Sequence, residues 1–195
     1  MIRRTIVLIV LFALVAAACS DDGTTLTEPG TDGATPRPTP EEAAFADAEG
    51  IFALRSLDFA SNGEIPAEFT RRDGDDIHPE LRWVLTPDEA KELALVVSDE
   101  TADEFLHWVV TGLSPVDTQL PAGVVPPGAT QWPNDFGISG WSGPDPPGDV
   151  VHSYVFALHA LDDLLSLGPD TPTDEVILAI EERTIERTLL VGTYQ

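Results

Sequence analysis

Three apolar runs, held apart by long proline- and glycine-rich connections, constrain this chain more than any other feature. Leu93–Val97 (LALVV), Phe105–Leu113 (FLHWVVTGL) and Ser153–Leu161 (SYVFALHAL) are nearly continuous in apolar side chains. That is the composition of strands covered on both faces. Ile51–Phe59 (IFALRSLDF) partly alternates and predicts a half-buried strand. Pro121–Gly148 carries seven prolines and six glycines, too many breakers for any long element. One helix is expected after Pro172, with Thr173 as its cap and Asp174 and Glu175 at the positive end of its dipole. Its apolar face would be Val176, Ile177, Ile180 and, more loosely, Ile185, and Leu189–Tyr194 (LLVGTY) then returns to a strand-like composition. No internal repeat is visible. The pattern predicts a β-rich domain with long loops and one C-terminal helix that packs rather than reacts.

The N-terminal region has a different character. Residues 1–18 (MIRRTIVLIVLFALVAAA) join two arginines, an apolar stretch and small alanines, the pattern of an export signal. The apolar stretch is short for a stable span, which needs roughly 20 residues. Cys19, the only cysteine, follows Ala16-Ala17-Ala18 directly and resembles the lipid-modified cysteine of a bacterial lipobox. Residues 19–44, from the cysteine through SDDGTTLTEPGTDGATPRPTPEE, have almost no apolar side chains to offset the entropy of ordering and read as a flexible linker. Glu41–Ala48 could add a helical turn. The expected organisation is therefore leader 1–18, linker 19–44 and domain 45–195, in an exported cell-envelope protein anchored through Cys19. A lone cysteine also excludes an intrachain disulfide and a cysteine-based zinc site.

Thirty-four Asp and Glu stand against ten Lys and Arg, a formal net charge of −24. Phosphate backbones would repel such a polyanion, and no local basic patch offsets this, so nucleic acid is excluded as a partner. No Walker loop, nucleotide-binding glycine fingerprint, HExxH or GxSxG occurs. What remains is a set of histidines. His107 lies within LHWVV and His152 opens VHSYVF, each on an apolar strand where packing is the ordinary explanation. Asp99 ends an adjacent strand, and a Gly/Pro-rich loop precedes His152. Imidazole N–H groups, a tyrosine hydroxyl and free loop amides are all donors, and donors converging at one pocket would hold an anion. A carboxylate beside one imidazole would fix its tautomer and raise its pKa, favouring the charged form near neutral pH. Packing and anion pocket both stand at this point.

A resemblance adds to that reading. IPAEFT (65–70), DG with HPELRW (73–74 and 78–83), VVSD (96–99), HWVV (107–110), LPAG (120–123), NDFGISGWSGPDPPG (134–148), HSYVFALHALD (152–162) and LVGTY (190–194) follow the order of the phosphatidylethanolamine-binding protein family. The chain resembles its bacterial, Raf-kinase-inhibitor-like branch from about residue 51 to the end. The resemblance implies a mainly β fold: a sandwich of antiparallel sheets in Greek-key order with a few peripheral helices. It also implies a surface pocket for phosphate, phosphorylated headgroups or other small anions, lined here by Asp99, His107, Gly143, Pro144, His152 and Tyr154. His107 and His152 would donate to anion oxygens, Tyr154 would add its hydroxyl, and Gly143 would offer an unobstructed backbone N–H. Asp99 would orient a histidine.

The chain departs from the family in three places. Where the family continues its first aspartate as DPDAP, this sequence has Asp99-Glu100-Thr101-Ala102-Asp103. Glu100, Asp103 and Glu104 would then bring negative charge to the pocket, weakening it for anions or selecting zwitterionic headgroups. His78 replaces a common serine, as a pocket donor or a loop residue, and His159 replaces a tyrosine, as packing. Trp83, Trp108 and Trp141 read as core or pocket wall, and Trp132 as a flank of the entrance.

The leading expectation is a non-enzymatic module, without cofactor or metal, that holds a small anion or phospholipid-like headgroup and modulates a partner protein such as a kinase or protease. A hydrolase or metal-dependent enzyme built on Asp99, His107 and His152 is the alternative from another class. A structural protein with a vestigial pocket is the third.

Overall fold

The computed structural model describes Phe45 and residues 50–195; the leader, the Cys19 lipobox and the linker lie outside the described residues, as does all but Phe45 of the expected turn at 41–48. Among the described residues, nine strands and one α-helix follow in chain order. They are β1 (Ala53–Arg55), β2 (Gly63–Glu64), β3 (Leu81–Val84), β4 (Glu92–Asp99), β5 (Phe105–Leu113), β6 (Gln119–Leu120), β7 (Thr130–Trp132), β8 (His152–Leu161), α1 (Thr173–Arg183) and β9 (Thr184–Tyr194). Single 3-10 turns cover Ala67–Phe69 and Glu100–Ala102.

Two sheets form: a small one ordered β1-β3-β6 and a large one ordered β2-β9-β8-β4-β5-β7. Every pairing is antiparallel except β2 with β9, which is parallel. β8 returns by a long connection to lie beside β4, the non-local step that Greek-key order requires. The main core fills the space between the sheets. Leu54, Leu81 and Trp83 of the small sheet meet Leu93, Leu95, Val97, Phe156 and Leu158 of the large one. On the reverse face of the large sheet, Ala94, Val109, Trp132 and Leu161 pack against Val176 and Ile180 of α1. Coverage on both faces explains why β4, β5 and β8 lack polar alternation.

Four details differ from the sequence expectation, each for a local reason. β1 stops at Arg55, short of Phe59, because Ser56 Oγ donates to Glu80 O and accepts from Asp58 N, turning the chain. Thr173 does not cap α1: Pro172 holds the cap position and Thr173 Oγ1 donates instead to Pro133 O at 2.8 Å. Ile185 belongs to β9, which begins at Thr184 directly as the helix ends. Trp132 is core rather than entrance, with its indole N–H donated to Thr111 Oγ1 at 2.9 Å.

Candidate functional site

The strand register decides which side chains meet at the end of the sandwich. Along β4 the core-facing positions are Leu93, Leu95 and Val97, so the next position of the same parity is Asp99. On β8 the core-facing set Phe156, Leu158 and Ala160 extends backwards to Tyr154 and His152. Asp99 lies opposite Tyr154 in the ladder, two residues from His152. Strict alternation on β5 would send His107 to the other face from Trp108. A bulge prevents this: Val97 pairs with Trp108 and Ser98 with Leu106, leaving His107 as the extra residue. His107 and Trp108 are therefore both buried on the core side, and the His107 ring meets Tyr154 edge-on at 5.1 Å.

Four of the six expected residues are thus gathered, all of them buried. His152 Nδ1 lies 2.7 Å from Asp99 Oδ2, and the other carboxylate oxygen accepts from Thr101 N at 2.9 Å. Both oxygens of Asp99 are engaged, and the carboxylate sets the His152 ring. His107 Nδ1 lies 2.6 Å from Ser142 O. A carbonyl only accepts, so the Nδ1 proton sits on the ring and neutral His107 turns the lone pair of Nε2 outward. Burial pushes the His107 pKa below its ordinary value, against the Ser142 carbonyl and the Asp99 charge, which raise it. A ring whose Nδ1–H is spent donates from Nε2 only when it takes up a second proton. Burial, and then the Asp99 carboxylate, which also interacts with the hydroxyl as a hydrogen-bond acceptor, raise the pKa of the buried Tyr154.

Gly143 and Pro144 do a different job from the one expected. The Gly143 N–H is not free: it donates to Asp76 Oδ1 at 2.6 Å. A Cβ at Gly143 would stand 2.3 Å from Phe69 O and 2.9 Å from Arg71 N, so the glycine permits a close crossing of two backbones. Pro144 O accepts from Arg71 N at 3.1 Å and Arg72 N at 3.3 Å. Together with Trp141 Nε1 donating to Phe69 O, these bonds clamp the loop onto residues 69–76.

Sequence reasoning missed several neighbours. Asn134 is a buried hub: its amide nitrogen reaches His107 O, Gly140 O and Ser142 Oγ, and its oxygen accepts from Phe136 N and Ile138 N. Phe136 lies edge-on to His107 at 5.6 Å, and the Arg71 guanidinium lies 4.6 Å from the centre of the Phe136 ring. The adjacent pair Arg71-Arg72 in so acidic a chain was the available signal. His78 is a loop residue, as expected, but a buried one, stacked on Trp108 at 4.5 Å. Glu100, Asp103 and Glu104 line a cavity on the reverse face of the large sheet, away from the core side on which His107 and His152 lie.

With this geometry in view, comparison with known proteins is specific. Residues 55–195 match the family model described as phosphatidylethanolamine-binding protein. A UPF0098 protein of Methanothermobacter thermautotrophicus is 38% identical over 149 residues, covering 73% of this chain and 97% of its own. A Mycobacterium tuberculosis relative named lipoprotein LppC is 35% identical over 167 residues, 84% of this chain and 78% of its own. Among solved structures, Escherichia coli YbcL, described as a new member of the mammalian PEBP family, superposes with a TM-score of 0.69 at 25% identity, covering 74% of this chain and 98% of its own. A Chlamydia trachomatis PEBP homologue, CT736, gives a TM-score of 0.68 at 32% identity, covering 75% and 99%. A matched segment that holds the whole large sheet, β3 and β6 of the small one and every residue of the buried Asp99–His152–His107–Tyr154 cluster leaves one conclusion: the chain belongs to the phosphatidylethanolamine-binding protein family.

Proposed function

We propose that this protein is a non-enzymatic binding protein whose His107, His152 and Tyr154 hold a small oxyanion or a phosphorylated headgroup, with Asp99 orienting His152. Gly143 and Pro144 shape that site by clamping its loop, and Arg71 lends positive charge at its rim. The observation that carries the reading is the convergence of two imidazoles, each with its Nδ1 engaged, and the Tyr154 hydroxyl at one end of the sandwich. The protonation logic supports an anion as well: each imidazole has its Nδ1 engaged, and a second proton on either ring turns its Nε2 into a charged donor. We further propose that Cys19 tethers the domain to a membrane, a reading supported by the lipoprotein name of the mycobacterial relative. Modulation of a partner protein would follow from display of the loaded site at that surface.

The test is titration of the full chain with phosphate, phosphoethanolamine and sulfate, followed through the histidine side-chain NMR signals. Saturable shifts at His107 and His152, lost in His152→Ala, are expected. Because binding favours a doubly protonated His107, whose pKa burial lowers, affinity should rise as pH falls below the ordinary imidazole range, by up to about tenfold per unit. Sulfate keeps its charge over that range, so a rise seen with sulfate belongs to the protein. Flat sulfate affinity from neutral to mildly acidic pH would sink the reading.

A further inference from the structure

The loop that was expected to burden the anion site with negative charge serves a second one. On the reverse face of the large sheet a cavity of about 630 Å³ opens between α1 and the β4–β5 connection. Its floor is Val96, Val155, Ala157 and Leu189, partly exposed side chains that α1 leaves uncovered. Around them stand Glu100, Asp103, Glu104, Asp135 and Glu181, and Arg187 is the one cation among the lining residues. Asp103 and Glu104 are held at positive φ, 51° and 60°, so the turn presents two adjacent acids in a left-handed conformation that glutamate seldom adopts.

A second observation points to what the cavity takes. His159, 5% exposed, also lines it. Thr184 Oγ1 donates to Ile180 O at 2.7 Å and lies 3.0 Å from His159 Nδ1, so Nδ1 carries the proton of that contact. Nε2 is left as a lone pair with no hydrogen bond, on a ring that Thr184 holds from its other side. It is not among the sealed polar atoms of the interior, and its ring is one of the residues that line the cavity. Burial first, and then Arg187, lower the His159 pKa to about 4, which keeps that lone pair available at neutral pH. Acceptors at the floor and carboxylates at the rim, over an apolar bed, ask for a ligand with N–H donors and a hydrocarbon body. The volume lies within the range of small-molecule sites, roughly 300–1,000 Å³.

The geometry points to a second ligand site, on the face opposite the anion cluster, for a small aliphatic amine: an ammonium group donating to His159 Nε2 and the rim carboxylates, with its methylene chain lying on Val155 and Ala157. This site is independent of the proposed anion site, because Asp99, His107, His152 and Tyr154 all lie on the core side of the sheet.

The experiment titrates the full chain with 1,8-diaminooctane at fixed ionic strength, reading the His159 side-chain NMR signal and the heat of binding. Saturation is expected together with a His159 shift, and a weakening of tenfold or more is expected in the double variant Glu104→Gln/Glu181→Gln and in Ala157→Phe. The exposed variant Asp88→Asn/Glu89→Gln removes the same charge outside the cavity and should bind as the parent does. Both pairs lie on the surface, and unchanged circular dichroism checks their folding. Equal weakening by the two pairs, or equal competition by magnesium ions, would reduce the effect to a diffuse polyanion and overturn the site. Saturation without a His159 shift would overturn it too. Binding of an alternating Lys-Leu peptide, where diaminooctane fails, would make the face a protein-docking surface instead.

Discussion

At the scale of single residues, the sequence pointed to Asp99, His107, His152 and Tyr154 because strand parity and a family motif agree on them. It could not show the proton arrangement. That depends on which atom each imidazole Nδ1 meets, Asp99 Oδ2 in one case and Ser142 O in the other, and no one-dimensional signal encodes it. Gly143 makes the same point. Its glycine reads as an open donor, whereas the structure spends the N–H on Asp76 and the missing Cβ on a backbone crossing. A methyl group at Gly143 would meet Phe69 O at 2.3 Å, and backbone on both sides leaves no flexible end to yield. Gly143→Ala should therefore destabilise the domain by about 1–3 kcal/mol, the usual cost of overpacking. Urea denaturation monitored by tryptophan fluorescence measures it. A change within a few tenths of a kcal/mol would show that the loop is not clamped in solution.

At the scale of elements, the strong apolar runs became β4, β5 and β8 nearly residue for residue, because strands buried on both faces leave little room for another reading. The errors fall where tertiary contacts override local preference. The β5 bulge that turns His107 inward is set by its pairing with β4 and leaves no mark on LHWVV. Helix and strand meet at Thr184 without a turn residue, so Ile185 was assigned to the wrong element. The inner face of α1 was legible, and its energetic weight can be measured. Ile180 is fully buried in the cluster formed with Ala94, Val109 and Leu161, whereas Leu178 on the outer side is 57% exposed. Ile180→Ala should cost about 2–5 kcal/mol and Leu178→Ala about 0.5 kcal/mol or less. Equal small losses would mean that the sheet does not depend on α1 for cover of its reverse face.

At the scale of the whole molecule, two effects of opposite sign meet when the pH falls. A net charge of −24 repels itself, and protonating carboxylates relieves that strain. Against this, burial lowers the pKa of His78, His107 and His159. Each of these groups takes up a proton more readily in the unfolded chain, so each contributes stability above the unfolded imidazole pKa of about 6.5 that is lost as pH falls toward its folded value. For His159, lowered from 6.5 to about 4, the full loss is on the order of 3 kcal/mol. The two effects occupy different windows. Carboxyl groups in general titrate near pH 4, so between about pH 6.5 and 5 the histidine effect acts almost alone. The melting temperature should therefore fall across that window in spite of the shrinking net charge, and His159→Gln should fall less steeply than the parent. Added salt separates the two further: it screens exposed charge but hardly reaches a buried ring, so near-molar sodium chloride should raise the melting temperature at pH 7 while leaving the acid-induced drop in place. A melting temperature that climbs steadily from pH 7 to 5 would assign the pH dependence to surface repulsion and remove the buried histidines from the account.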